Sequence, residues 1–177
     1  MPLIPDNDQQ KIREHFENNL TGDVEIVMFT ERVSPIIIPG QEQCEMCEQT
    51  EELLKEVTTL SDKLSLTVHD IKEAKEEADS YKIDRVPAFI LEGASRGHVR
   101  YFGIPSGYEF STLIADLIDV SKGVTNLSEE TLEFLASLTE DVNIKGFTTK
   151  LPSTDVQQQG VLSQLSPIHI KVFTTPS

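Results

Sequence analysis

The chain has 177 residues, 38% of them apolar, and its 30 acidic and 15 basic residues give a net charge of −15. That length allows one domain and part of a second, and the apolar fraction excludes wholesale disorder. The negative charge disfavours nucleic acids and anionic lipid surfaces as partners. No apolar run reaches about 18 residues, so no membrane span is predicted. The first ten residues lack signal-peptide features, and we therefore predict a cytoplasmic location.

Helical and strand patterns alternate along the first 70 residues. Apolar residues spaced by four between Ile12 and Leu20 predict a leading helix. Val24 to Thr30 is an apolar run typical of a buried strand. Apolar residues then recur at helical spacing from Thr50 to Leu64, and residues 64–69 alternate between apolar and polar, as in a strand.

The next 50 residues continue the alternation. Asp70 is positioned to begin a further helix. Pro87 introduces a predicted strand at Ala88 to Leu91, which a hairpin turn connects to a second strand at Val99 to Phe102. A strongly amphipathic helix follows and ends near Gly123. The order helix, β-α-β, α, β-β-α predicts an α/β fold with a central sheet flanked by helices.

The chain's two cysteines, Cys44 and Cys47, lie between the first predicted strand and the helix that follows it. Backbone N–H groups and the helix dipole at such a position favour thiolate over thiol. We therefore predict that Cys44 attacks a disulfide and that Cys47, one turn further on, resolves the adduct. Two alternatives stay open at this point, a zinc site completed by a second copy of the chain and a pair of inert buried thiols.

Acidic residues surround this cysteine pair. Glu45 and Met46 separate the two cysteines, and further glutamates precede and follow them at positions 42, 48, 51 and 52. Negative charge opposes a thiolate, so we expect Cys44 to be less acidic than in strongly oxidising dithiol proteins. The motif is therefore interpreted as a mildly reducing or isomerising dithiol, with Glu45 and Met46 as modulating residues.

With this order of elements around CxxC, the sequence resembles the thioredoxin superfamily. The strings RVPAFILEG, RYFGIPSGYEF and DLIDVSKG are similar to the glutaredoxin-like protein disulfide oxidoreductases of archaea and bacteria, which consist of two fused thioredoxin-fold units. The resemblance covers roughly residues 8–145. It implies a thioredoxin-like fold and an active site at Cys44 and Cys47. It also implies that Pro87 is a cis-proline and that Val86 offers backbone groups to a bound peptide.

The predicted activity also suggests the partners of the reaction. The substrates would be protein disulfides or small ones, and we expect electrons to return from a reductase such as a flavoprotein of the thioredoxin reductase type. The exchange needs no bound cofactor and no metal, because the redox-active group is the Cys44–Cys47 disulfide itself. We thus predict a thiol–disulfide oxidoreductase that serves cell redox homeostasis by electron transfer. The alternative is a thioredoxin-fold binding or scaffold protein with little turnover.

The chain departs from this family in two places. The connection at residues 31–43 is long and contains three consecutive isoleucines, which either pack under the domain or form a flap over Cys44. We also predict a thioredoxin-like domain at residues 1–124 and an incomplete second unit at 125–177. VEIVMFT at Val24 recurs as VNIKGFT at Val142 and as IHIKVFTTPS at Ile168, but no second CxxC appears.

The predicted second unit contains a helix at Ser128 to Leu138 and a flexible polar segment near residues 150–166. One helix and one or two strands cannot bury a core of their own. We therefore expect this tail to pack on the first unit, to pair with a second copy in a homodimer, or to remain loose.

Overall fold

The computed structural model describes residues 2–32, 44–95, 97–125 and 127–139. The chain divides into two units after Thr125. In the described part of the first unit the elements follow the predicted order: α1 Asp6–Asn19, β1 Val24–Thr30, α2 Cys47–Thr58, β2 Leu64–Asp70, α3 Lys75–Ser80, β3 Ala88–Glu92, β4 Val99–Phe102 and α4 Tyr108–Lys122.

Several predictions lie outside the described residues. They concern most of the connection at residues 31–43, the repeats that begin at Val142 and Ile168, and the polar segment near residues 150–166. The division of the chain into a complete and an incomplete thioredoxin-like unit therefore stays a prediction.

The four strands form one mixed sheet in the order β2-β1-β3-β4. β1 pairs in parallel with β2, whereas β1 with β3 and β3 with β4 are antiparallel pairs. Parallel neighbours need a crossover connection, which α2 supplies between β1 and β2. This topology is the central mixed sheet that the predicted thioredoxin-like fold requires.

Side chains alternate between the two faces of the sheet and define two cores. Ile26 and Met28 of β1 belong to the larger core, which α1, α2 and α4 cover. Val27 and Phe29 point the other way, into a smaller core that includes Ala78 of α3. Full burial of one such large apolar side chain contributes about 1.5–3 kcal/mol, so the larger core supplies most of the stabilisation.

The prediction that Asp70 begins a helix is wrong. Asp70 is the last residue of β2, and α3 begins only at Lys75. The carbonyl of Asp70 accepts hydrogen bonds from the backbone N–H groups of Glu73 and Ala74, at 3.0 and 2.9 Å, so a tight turn separates the strand from the helix. Asp favours helix starts and turns for the same reason, because its short carboxylate bonds nearby N–H groups.

The end of α4 is confirmed at Gly123. This residue adopts a left-handed conformation with φ of 62°, and its N–H donates to the carbonyl of Asp119. A Cβ at this position would lie 2.6 Å from the carbonyl oxygen of Ala94, so both conformation and space require glycine.

The second unit contains a described helix, α5, at Glu129–Ala136. It lies within the predicted span and begins after Ser128, whose hydroxyl oxygen accepts a hydrogen bond from the Thr131 N–H at 3.3 Å. Such a serine cap stabilises a short helix by satisfying one of its first N–H groups. Among the helices of the described residues, none has the length and apolar character needed to cross a membrane.

A phenol and a carboxyl group pair at the edge of the larger core. The Tyr101 hydroxyl of β4 donates to Asp116 of α4 at 2.5 Å, and the Tyr101 ring stacks on Phe89 with centroids 4.8 Å apart. Burial raises the pKa of Asp116 above its usual value, although the hydrogen bond from Tyr101 acts in the opposite direction. The net direction shows that loss of hydration outweighs the single hydroxyl donor.

We expect Asp116→Asn to reduce the pH dependence of stability. A pKa raised in the folded state means that the protonated carboxyl favours folding below the unfolded value of about 3.9 and that this contribution is lost as pH rises through the folded value. At pH 7 the Asn variant should match or exceed the parent in free energy of unfolding, because its amide oxygen still accepts from Tyr101. Urea unfolding at pH 4, 5.5 and 7 measures this.

The exposed residue Asp79 provides the control, since Asp79→Asn removes the same charge without the burial. Asp119 would not serve, because its charge helps to raise the pKa of Asp116. An Asp116→Asn variant whose stability runs parallel to the parent over this pH range would contradict the expectation. So would a loss of more than about 1 kcal/mol at pH 7, which is the net scale of one hydrogen bond.

Candidate active site

Cys44 and Cys47 are joined in a disulfide, with their Cα atoms 5.5 Å apart. Cys47 is the first residue of α2 and is 2% exposed, whereas Cys44 is partly exposed. Of the two cysteines, Cys44 is therefore the one that a visiting thiol or disulfide can approach. This asymmetry is the one that the predicted roles of attacking and resolving cysteine require, and it contradicts the alternative of two inert buried thiols.

Cys44 precedes α2 and Cys47 begins it, so the two cysteines are not separated by a helical turn as the sequence interpretation had it. Glu45 and Met46 form a turn, Met46 is the N-cap, and α2 starts at Cys47 rather than at Cys44. The Met46 carbonyl accepts from the Thr50 N–H at 3.0 Å and from the Thr50 hydroxyl at 2.7 Å. The Met46 side chain provides no cap. As far as the described residues go, the N–H groups of the first turn can therefore face water or a sulfur that precedes the helix.

The proline predicted beside the reactive sulfur lies at the same end of the sheet. The Val86–Pro87 peptide bond is cis, as the resemblance implies. Pro87 directly precedes β3, whose first residue, Ala88, pairs with Phe29 near the end of β1. Since α2 returns the chain to a strand parallel to β1, α2 must begin where β1 ends. The topology thus brings the disulfide and Pro87 to one end of the sheet.

Val86 is partly exposed and packs against the smaller core, and Pro87 is buried. The Pro87 carbonyl accepts a hydrogen bond from the Gly103 N–H at 2.8 Å, so the turn after β4 holds the segment before β3 in place. Beside it, the Arg85 guanidinium lies 5.6 Å from the centre of the Phe102 ring and pairs with Asp84 through bonds of 2.8 and 3.0 Å.

The surface around the disulfide is acidic. Glu45 and Glu48 are exposed, and Met46 between the cysteines is 43% exposed. Glu48 lies in the first turn of α2, where the helix dipole stabilises negative charge. The nearest basic residue on α2, Lys55, pairs with Glu51. Within the described ranges, no group of three or more His, Cys, Asp or Glu side chains is arranged to hold a metal ion.

Asp70 has a role at this end of the sheet that the sequence interpretation missed. Its carboxylate accepts from the backbone N–H groups of Arg32 at 3.0 Å and Lys72 at 2.9 Å. The Arg32 N–H is the largest cause that lowers the pKa of Asp70, and it outweighs the effect of burial. Asp70 thereby fixes the chain where it leaves β1 for the dithiol. Only the parallel pairing of Thr30 with Asp70 reveals this, so no local signal could have shown it.

Comparison with known proteins agrees with this architecture. Residues 36–115 match the thioredoxin domain family. The chain is similar in structure to a protein disulfide oxidoreductase from Aeropyrum pernix k1, with a TM-score of 0.62 and 26% sequence identity over 76% of this chain and 55% of that one. No curated protein sequence matches the chain.

A second similar structure is the alkylhydroperoxide reductase AhpF of Enterococcus faecalis (V583), in its C503A mutant. Its TM-score is 0.62 at 21% identity, over 76% of this chain and 61% of that one. This chain thus spans between about half and three fifths of the length of these two proteins. The predicted thioredoxin-like fold and the predicted resemblance to thioredoxin-fold disulfide oxidoreductases are confirmed.

We expect Asp70→Asn to destabilise the fold. A pKa lowered in the folded state means that the ionised carboxylate contributes stability above the unfolded value of about 3.9 and that this contribution is lost as pH falls through the folded value. The variant should lose about 1–3 kcal/mol at pH 7, the range for a hydrogen-bonded charged group. Urea unfolding at pH 7 and pH 3 measures both the loss and its decrease in acid.

Asp79→Asn is the matched control, because Asp79 is exposed on α3. It should leave the free energy of unfolding within about 0.5 kcal/mol of the parent. Equal stability of the Asp70→Asn variant and the parent at pH 7 would show that the carboxylate does not hold the end of β1.

Proposed function

We propose that this thioredoxin-fold protein is a thiol–disulfide oxidoreductase that exchanges disulfides with protein substrates through Cys44 and Cys47. The observation that carries the proposal is the asymmetric disulfide, with a partly exposed Cys44 ahead of α2 and a buried Cys47 at its first residue. The cis peptide bond at Pro87, at the same end of the sheet, supports it.

The exchange proceeds in two balanced steps. In the reduced protein, the Cys44 thiolate attacks one sulfur of a client disulfide, a bond forms between the two sulfurs, and the client's other sulfur leaves as a thiolate. Cys47 then loses its proton and attacks the Cys44 sulfur, which releases the second client thiolate. Both client thiolates take up protons from water. The client gains two electrons, and the protein retains the Cys44–Cys47 disulfide.

First-turn N–H groups of α2 support the first step. The Met46 side chain does not cap them, and Cys44 directly precedes the turn that leads into them. They are therefore positioned to stabilise negative charge on the Cys44 sulfur before it attacks the client. The burial of Cys47 ensures that its target is the neighbouring mixed disulfide rather than a second client.

The same end of the sheet supplies a binding edge for the client. Val86 is partly exposed ahead of the buried Pro87, and we propose that its backbone groups hold an extended client segment beside Cys44. Electrons would then return from a flavoprotein of the thioredoxin reductase type. The cytoplasmic location, the glutaredoxin-like subtype and a homodimer through the tail stay predictions.

Substitution of each cysteine distinguishes turnover from binding. Cys44→Ser should abolish the protein's acceleration of insulin reduction by dithiothreitol, because serine cannot form the mixed disulfide. Cys47→Ser, reduced and then freed of dithiothreitol, should accumulate a covalent adduct with the client, which mass spectrometry detects, since no second sulfur resolves it. An inactive parent protein that forms no such adduct would favour the alternative, a thioredoxin-fold binding protein.

We expect the Cys44–Cys47 couple to be reducing. Glu45 and Glu48 oppose a thiolate on Cys44, which disfavours the reduced form. Equilibration with glutathione should give a potential of roughly −200 to −270 mV, the range of glutaredoxins and thioredoxin. Glu45→Gln/Glu48→Gln should raise it towards less negative values.

The control for this titration is Glu17→Gln/Asp62→Asn, which removes the same charge from two exposed positions. Glu17 lies near the end of α1 and Asp62 just before β2, at the opposite end of the sheet. A parent potential near about −120 mV, the value of a strong oxidant, would contradict the expectation.

A further inference from the structure

We propose that the acidic surface beside Cys44, formed by Glu45 and Glu48, makes this site selective for client disulfides whose cysteine is flanked by lysine or arginine. The inference rests on the proposed function and adds the class of client to it. Its support comes from the residues beside the partly exposed Cys44, namely from their charge, their exposure and their neighbours.

Among the described residues, the negative charge directly beside the disulfide has no paired cation. Residues 44–54 contain four glutamates and no lysine, arginine or aspartate, and of the four only Glu51 has a basic partner, Lys55. Glu45 and Glu48 are exposed, and among the described residues neither has an ion-pair partner. A client that approaches Cys44 therefore meets at least two full negative charges.

Three basic residues near this end of the sheet form ion pairs, and a fourth acts on a different carboxylate. Lys55 pairs with Glu51, and Lys72 pairs with Glu31 at the end of β1. The charge of Arg32, just after β1, acts on Asp70. Arg85 donates to both carboxylate oxygens of Asp84. Each pair is close to neutral as seen from a distance, so none of them offsets the glutamates that border Cys44.

Met46 supplies the second feature that a basic client would use. Its side chain is 43% exposed between Glu45 and the buried Cys47. A lysine or arginine next to a client cysteine presents an apolar stem and a charged end. The stem can pack on Met46 while the charge lies between the glutamates. An aspartate or glutamate at the same place would meet like charge and have no stem to bury.

Exposed charges of this kind change the rate at which a client associates with the site more than the strength with which it is bound. Fields of this kind raise association rates by about 10- to 1,000-fold at low salt, and the effect falls steeply as ions screen it. At 1 M salt the screening length is only about 3 Å, so the preference should almost vanish. Salt dependence therefore separates charge selection from a preference for the shape of a side chain.

The test uses the reduced full chain and three peptides that differ only beside one cysteine. That cysteine is activated as a mixed disulfide with 2-thiopyridine and is flanked by two lysines, two glutamines or two glutamates. Release of 2-thiopyridone gives the second-order rate constant for each peptide. Division by the rate constant with neutral dithiothreitol removes the intrinsic reactivity of each peptide. The lysine peptide should react at least about 10-fold faster than the glutamate peptide at low salt.

Variants then locate the source of the preference. Glu45→Gln/Glu48→Gln should lower the ratio of lysine to glutamate peptide by roughly threefold or more, since two of the charges that act on the client are gone. Glu17→Gln/Asp62→Asn, with the same change in net charge at the opposite end of the sheet, should keep the ratio of the parent.

The outcomes separate this inference from the proposed function. Reaction with the glutamine peptide, together with equal rates for the lysine and glutamate peptides, would overturn charge selection and leave the oxidoreductase intact. A ratio unchanged by Glu45→Gln/Glu48→Gln would also overturn it. A reduced protein that does not react even with the glutamine peptide would overturn the oxidoreductase function itself.

Discussion

The parallel pairing of β1 with β2 is the constraint on which the site depends. Parallel strands cannot be joined by a tight turn, so the chain crosses over through α2, and α2 has to begin at the end of the sheet where β1 stops. β3 runs antiparallel to β1 and therefore starts at that same end, directly after Pro87. Residues far apart in sequence thus come together because of strand direction alone.

Two opposing electrostatic effects act on the Cys44 sulfur at the start of α2. The first-turn N–H groups of α2 favour a negative sulfur, by about 0.3–1 kcal/mol for a charge at a helix end. Glu45 and Glu48 oppose that charge, on a scale of about 1 kcal/mol for two unit charges 4 Å apart in water. The two effects act in opposite directions on the reactivity of Cys44. The same helix dipole that stabilises a negative Cys44 sulfur also stabilises the negative charge of Glu48 in the first turn.

Features that depend on neighbouring residues could be predicted from the sequence, whereas contacts between residues far apart in sequence could not. The apolar run predicted β1 at Val24–Thr30, with the bounds that the structure has. This was possible because nearly all residues of this strand are buried, so its apolar residues follow one another in the sequence. The role of Asp70 was misjudged, because a carboxylate that bonds nearby N–H groups looks the same at a helix start and at a strand end. The Tyr101–Asp116 pair was missed, since it depends on how β4 packs against α4.

Some parts of the active site could likewise be predicted from the sequence, and others could not. CxxC after a strand predicted the dithiol, and the resemblance supplied the cis bond at Pro87. The start of α2 at Cys47 rather than Cys44 could not be predicted, because Glu45 and Met46 are both acceptable inside a helix. The turn they form leaves Cys44 ahead of the helix and partly exposed.

Carboxylates serve two physical purposes in this protein, and burial separates them. Backbone N–H groups, that of Arg32 above all, lower the pKa of Asp70, whereas burial raises the pKa of Asp116 and one tyrosine hydroxyl offsets it only in part. Both act on the fold itself. Glu45 and Glu48 are exposed to water, where they contribute little to stability. Their charges therefore interact mainly with molecules that approach Cys44. They are suited to select a client rather than to stabilise the fold.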